Sequence, residues 1–117
     1  MPEDIIDLNE FMERVQDDKE LLLELFDIYL EDYEAKRKAL PDIIRSQKFE
    51  ELRGVAHSLK GASGNISAKP IRAIFMKMEE MGKNNTTDGI GRLLIELDEL
   101  FEKLKQRIAE LKVELAK

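Results

Sequence analysis

Leu52-Arg-Gly-Val-Ala-His-Ser-Leu-Lys-Gly-Ala-Ser-Gly-Asn-Ile66 is the stretch from which both the architecture and the chemistry of this chain are read. On a helical wheel advancing roughly 100° per residue, Leu52, Val55, Leu59, Ala62 and Ile66 gather around one line, which marks a core face. About 180° away stands His57, the only histidine of the chain. Gly54, Gly61 and Gly64 fall within about 60° of it, and Lys60 lies about 60° to the other side. The imidazole is therefore expected on an outward face cleared of side chains. Each interior glycine costs a helix about 1 kcal/mol relative to alanine, so this face gives up roughly 2 to 3 kcal/mol of propensity. Close packing against another helix, or a helix ending at Gly61 or Gly64, is one explanation. The other is that a second protein brings a reactive group up to the imidazole.

A neutral imidazole offers a nitrogen lone pair near pH 7, since its reference pKa is about 6.5, and a solvated histidine can accept a phosphoryl group without further activation. A lysine one turn on supplies fixed positive charge for phosphoryl oxygens. His-x-x-Lys also arises by accident. The cleared face is what weighs against an idle histidine.

Ala56-His-Ser-Leu-Lys-Gly-Ala-Ser-Gly-Asn-Ile66 resembles the signature of histidine-containing phosphotransfer (HPt) domains, A-H-x-L-K-G-x-x-x-x-x-G. The resemblance extends from Asp7 to Leu104: Leu21, Leu25 and Phe26 precede the motif as the family's second helix does, Phe49 and Leu52 fall where its third begins, and Met78-Glu79 lie near the end of its fourth. It implies that His57 is phosphorylated on its outward ring nitrogen and that Lys60 steadies the phosphoryl group. It also implies that Gly61 lets a receiver domain close in, with Gly64 a further small position on that face. Glu79 falls where many members place a polar residue that hydrogen-bonds the other ring nitrogen. The chain departs from the pattern at Ser67, where glycine is usual, and at Lys48, where an acidic residue is common. Ser67 is expected to cap the next helix, which leaves only local loop geometry open.

With 117 residues the chain is expected to form one domain, 1–117, with a single core. No cysteine and one histidine leave disulfides and zinc without ligands, so no metal or cofactor is expected and a cytoplasmic setting fits. A di-iron bundle needs Glu-x-x-His pairs, and Gly54 stands three residues before His57. Met1-Pro-Glu-Asp-Ile-Ile-Asp7 is acidic and does not read as a signal peptide; no segment approaches a membrane span. A net charge of −6 argues against nucleic acid and leaves proteins as the expected partners.

Apolar residues recur at three- and four-residue spacings without strand-length alternation, which predicts an all-α chain. Asp7 with Glu10 reads as a capping pair for a short helix over about 8–15. Asp17 with Glu20 opens a second helix carrying Leu21, Leu22, Leu25, Phe26, Ile28, Tyr29, Tyr33, Leu40 and Ile44; Pro41 either kinks it or makes it restart, a kink being expected. A third helix spans about 48–64, and a fourth about 68–82, with Pro70 in its first turn and Gly82 closing it. After the polar turn Asn84-Asn-Thr-Thr-Asp88, a fifth runs over about 87–115 with a near-heptad stripe from Ile90 to Leu115, about 40 Å long. Its tail, 105–117, can pack along the first two helices, pair with another copy or fray. Met76, Met78 and Met81 read as bundle packing.

The expected fold is thus an antiparallel up-down four-helix bundle with a short extra N-terminal helix. The expected function is that of a phosphorelay carrier: His57 takes a phosphoryl group from a receiver-domain aspartate and passes it to another, the receiver supplying the divalent metal. No independent kinase or phosphatase activity is expected, since there is no Gly-rich phosphate loop and no nucleophile beside a base. The resemblance implies response-regulator receiver domains as partners, with a hybrid sensor kinase as a further candidate; no nucleic acid and no membrane are expected, and the protein is expected to be a monomer. The docking surface is drawn as Gly54, His57, Lys60, Gly61 and Gly64, ringed by exposed Phe11, Met12 and Leu22, three residues that a core would equally claim. Two other readings fit the same residues: a helical adaptor that never carries phosphate, and a detached module of a larger hybrid sensor kinase.

Overall fold

A computed structural model describes residues 4–116; Met1, Pro2, Glu3 and Lys117 lie outside the described residues. Five helices follow one another: α1 Leu8–Arg14, α2 Lys19–Arg45, α3 Phe49–Asn65, α4 Lys69–Lys83 and α5 Ile90–Leu115, with no strand among the described residues. The connections 46–48, 66–68 and 84–89 are too short for anything but antiparallel neighbours. Helices α2 to α5 pack in sequence, α5 closes the ring against α2, and α1 lies on α2. The all-α, four-helix-bundle expectation with its short first helix describes this chain.

Local chemistry explains where the elements begin and end. The Asp7 carboxylate accepts the Glu10 N–H at 3.1 Å and caps α1. Asp18, rather than Asp17, caps α2, accepting the Leu21 N–H at 3.0 Å. Asp17 itself takes a left-handed φ of 61° in the turn between the helices, a conformation that an N-cap does not have. Helix α2 does not restart at Pro41: Leu40 and Ile43, on either side, are buried, and their packing carries the helix through the one missing hydrogen bond.

Two expected boundaries move for identifiable reasons. Ser67 does not cap α4, whose N-cap is Ala68 without a side-chain bond. Ser67 sits at φ 59°, the left-handed conformation that favours glycine after a helix end, and its hydroxyl donates instead to Glu10 Oε1 at 2.8 Å. Gly82 does not close α4 but lies inside it. A Cβ there would stand 2.8 Å from Arg53 N and 2.9 Å from Arg53 Cα, so this glycine lets α4 press directly onto the backbone of α3. Helix α5 starts at Ile90, behind Gly89 at φ 82°.

The core is aromatic at mid-bundle. Tyr33 of α2 stacks on Phe101 of α5 with centroids 3.9 Å apart and meets Phe75 of α4 edge-on at 6.0 Å. Phe11 and Leu22 belong to this interior: both have 0% exposure, and Phe11 packs edge-on against Phe26 at 5.3 Å. Met12 is half-buried. The expected apolar ring of Phe11, Met12 and Leu22 is therefore corrected. Helix α2 buries the line Leu22, Phe26, Tyr29, Tyr33 and Leu40, and this phase turns Leu21 and Ile28 outward instead. The tail of α5 packs within the chain: Ile108 and Leu111 are buried, Arg107 pairs with Asp4 at 3.1 Å, and Lys112 reaches Asp27 of α2 at 2.6 Å. No helix among the described residues is long and apolar enough to cross a membrane.

Candidate functional site

The close approach of α4 to α3 at Gly82 and Arg53 sets the geometry of the site. One turn along each helix from that contact, in opposite chain directions, stand Glu79 and His57. The His57 Nδ1 lies 2.6 Å from Glu79 Oε2, and Lys60 Nζ donates to the other oxygen, Oε1, also at 2.6 Å. A single carboxylate thus bridges the imidazole and the ammonium. The Glu79 side chain is only 7% exposed, whereas that of His57 is 68% exposed.

The protonation pattern follows. The Lys60 hydrogen bond holds the Glu79 carboxyl below the ordinary carboxylate range, working against burial, and the hydrogen bond to His57 adds to it. An ionised carboxylate can only accept, so Nδ1 carries the proton and the neutral ring keeps its lone pair on Nε2. With Nδ1 turned to the buried Glu79 and 68% of the side chain exposed, Nε2 is the ring nitrogen on the solvent side.

The glycines divide into two kinds. At Gly54 and Gly61, both exposed, an added Cβ would meet nothing within 4 Å. At Gly64, which is half-buried, a Cβ would come 3.3 Å from Arg72 Cδ and 3.4 Å from its Nε. All three lie on the face of α3 that carries His57, so the surface around the imidazole is open on the Gly54 and Gly61 sides and borders an arginine at Gly64. On the far side of Gly61 a shallow groove between α2 and α3 is lined by Leu25, Ile28, Tyr29, Asp32, Ala62, Asn65 and Ile66. On this flank 58% of Ile28 and 38% of Leu21 are exposed, whereas Phe11 and Leu22 expose nothing.

Two further residues steady the site helix and gave no signal in the sequence. Arg14 of α1 donates to Gly64 O at 2.9 Å and Asn65 O at 2.7 Å, satisfying carbonyls at the C-terminus of α3, a helix with no basic residue in its own last turn. Arg14 in turn lies in a charge cluster with Glu10, Ser67 and Lys69, and the hydrogen bonds of Lys69 and then Ser67 bring the Glu10 carboxyl down to about 2. Beside His57, Ser58 Oγ accepts from Lys36 of α2 at 2.7 Å. Periodicity places charges at 31–38 on a solvated face, and nothing in it shows which of them turns toward α3.

Together these features define a helical bundle that offers one imidazole nitrogen to whatever meets its α3 face. A family model described as Hpt domain matches residues 7–111, and the chain belongs to that family, the histidine phosphotransfer domains of phosphorelays. Its members are phosphocarrier modules that interact with receiver domains of two-component systems. Neither the curated proteins nor the solved structures contain a significant match to the chain.

Proposed function

We propose that His57 is the phosphoacceptor of a carrier that takes a phosphoryl group from the aspartyl phosphate of one receiver domain and delivers it to the aspartate of another. The Nε2 lone pair attacks phosphorus, the P–O bond to the aspartyl carboxylate breaks as the N–P bond forms, and the freed carboxylate stays with the receiver. Positive charge develops on the ring as Nε2 attacks, and Glu79, hydrogen-bonded at Nδ1, stabilises it. Delivery reverses the same steps. An ammonium has three donors, so Lys60 can keep one on Glu79 and still turn others to phosphoryl oxygens. Gly54 and Gly61 leave room for the receiver, Gly64 continues that surface, and the Leu21, Leu25 and Ile28 flank gives it apolar footing. The divalent metal belongs to the receiver. On this reading the chain works as a single-domain monomer in the cytoplasm, with no kinase or phosphatase activity of its own.

The observation that supports this most is the 2.6 Å contact of Nδ1 with a buried carboxylate beneath a ring that is otherwise exposed. The test is incubation with a labelled, phosphorylated receiver. Wild type should gain label that is acid-labile and alkali-stable, and His57→Gln should gain none. Equal labelling of the two would remove His57 from the reaction. Absence of label from any receiver of the host would favour the adaptor.

A further inference from the structure

We propose that Arg72 is a specificity-determining residue of the docking face, where its guanidinium pairs with a carboxylate of the incoming receiver domain. The proposal rests on the reading of His57 as the group a receiver domain meets.

Helices α3 and α4 run antiparallel, so the seven residues from His57 to Gly64 are matched by the seven from Glu79 back to Arg72. At one end the imidazole meets Glu79 at 2.6 Å; at the other, a Cβ on Gly64 would touch Arg72 Cδ at 3.3 Å and Nε at 3.4 Å. Gly64 therefore seats the arginine stem and lets it lie along the cleared face. Two helical turns separate this point from His57, about 10 Å, which keeps Arg72 away from a phosphoryl group on Nε2 and confines it to docking.

Among the described residues no carboxylate answers the charge of Arg72. Arg14, Arg37, Arg45, Arg53 and Arg107 each hold a carboxylate. Among the described residues Arg72 and Arg92 have none within 4 Å; Arg92 is solvent-exposed on α5, whereas Arg72 is half-buried. In a chain with 25 acidic residues and 19 lysines and arginines, a half-buried arginine without an acidic neighbour is out of keeping with the rest of the surface. Met76, one turn from Arg72 toward Glu79, exposes 45% of its surface. An exposed thioether beside an open guanidinium is the mixture that protein interfaces enrich. The occupant follows from charge: an unpaired guanidinium on the face that carries His57 selects a surface carboxylate of the domain that meets that imidazole. A planar guanidinium suits a carboxylate by two parallel hydrogen bonds.

The experiment is single-turnover transfer from a phosphorylated receiver, measured against receiver and salt concentration, for wild type, Arg72→Gln, Arg72→Lys and Arg72→Glu, with folding checked by circular dichroism. Arg72→Gln should raise the half-saturating receiver concentration about five- to tenfold, leave the maximal rate unchanged and flatten the salt dependence. Arg72→Lys should recover part of the loss. Arg72→Glu should be weakest, and a receiver with one surface acidic residue changed to arginine should restore it. Wild-type half-saturation and salt slope in Arg72→Gln would overturn the proposal, as would a lowered maximal rate at unchanged half-saturation. If His57 takes label normally while Arg72→Gln docks like wild type, only the arginine is misassigned; if His57 takes no label, the carrier reading fails as well.

Discussion

Replacing Gly61 separates the two explanations for a glycine-lined helix. Its Cβ position is empty to 4 Å, so Gly61→Ala meets no steric cost and gains up to about 1 kcal/mol of helix propensity. For 117 residues at about 2.1 cal/mol/K each, the unfolding entropy is roughly 0.25 kcal/mol/K, and that gain corresponds to a rise in Tm of about 4 °C. Gly82→Ala gives the contrast. Its Cβ would lie 2.8 Å from a backbone nitrogen of α3, and overpacking of about 1–3 kcal/mol offsets or exceeds the same propensity gain. Urea unfolding followed by circular dichroism should therefore rank Gly61→Ala above wild type and Gly82→Ala below it. Gly61→Gln carries the functional half: it should remain as stable as wild type yet slow single-turnover transfer about a hundredfold, the effect of roughly 1 Å of misplacement between reacting groups. A destabilised Gly61→Ala, or transfer at the wild-type rate in Gly61→Gln, would mean that the open face exists for another reason.

Acid should unfold the domain through its paired carboxylates. Asp7, Glu10 and Glu79 are all held below their ordinary values in the fold, 3.8 for the aspartate and 4.5 for the glutamates, with Glu10 at about 2, so their stabilisation is present above those ordinary values and is lost as pH falls through the lowered ones. The urea midpoint should hold from pH 7 to about 5 and fall below about 4.5, and Glu10→Gln with Glu79→Gln should flatten that fall; an unflattened profile would place the acid sensitivity elsewhere. Leu111→Ala, at a position with 0% exposure, should cost about 2–5 kcal/mol, and a loss below about 0.5 kcal/mol would show that the α5 tail is not part of the core.

The parts of the fold legible in the sequence are those set by side-chain periodicity. The inward line of α3, the stripe of α5 and the short first helix follow from spacing alone, and the seat of Glu79 opposite His57 follows from the family pattern. What was not legible depends on phase and on backbone contact. A stripe as broad as Leu21 to Ile28 does not say which of its members face inward, and the answer, Leu22 and Phe26, reverses the expected docking ring. Ser67 and Gly82 look like a cap and a stop because each has that common local role; their actual roles, a left-handed turn anchored by Glu10 and a helix–helix contact at Arg53, involve partners far along the chain. Gly64 has the spacing of a cleared position, and only the arrival of Arg72 from α4 distinguishes it from Gly61.

The hydrogen bond to Glu79 requires that the outward nitrogen of His57 be the free one. A long-range 1H–15N correlation spectrum of this single-histidine protein reads the ring directly, before and after phosphorylation by a receiver. The result expected is a proton on Nδ1 in the neutral ring and, after transfer, phosphorus bonded to Nε2. A proton on Nε2 in the neutral ring, or phosphorus on Nδ1, would contradict the account.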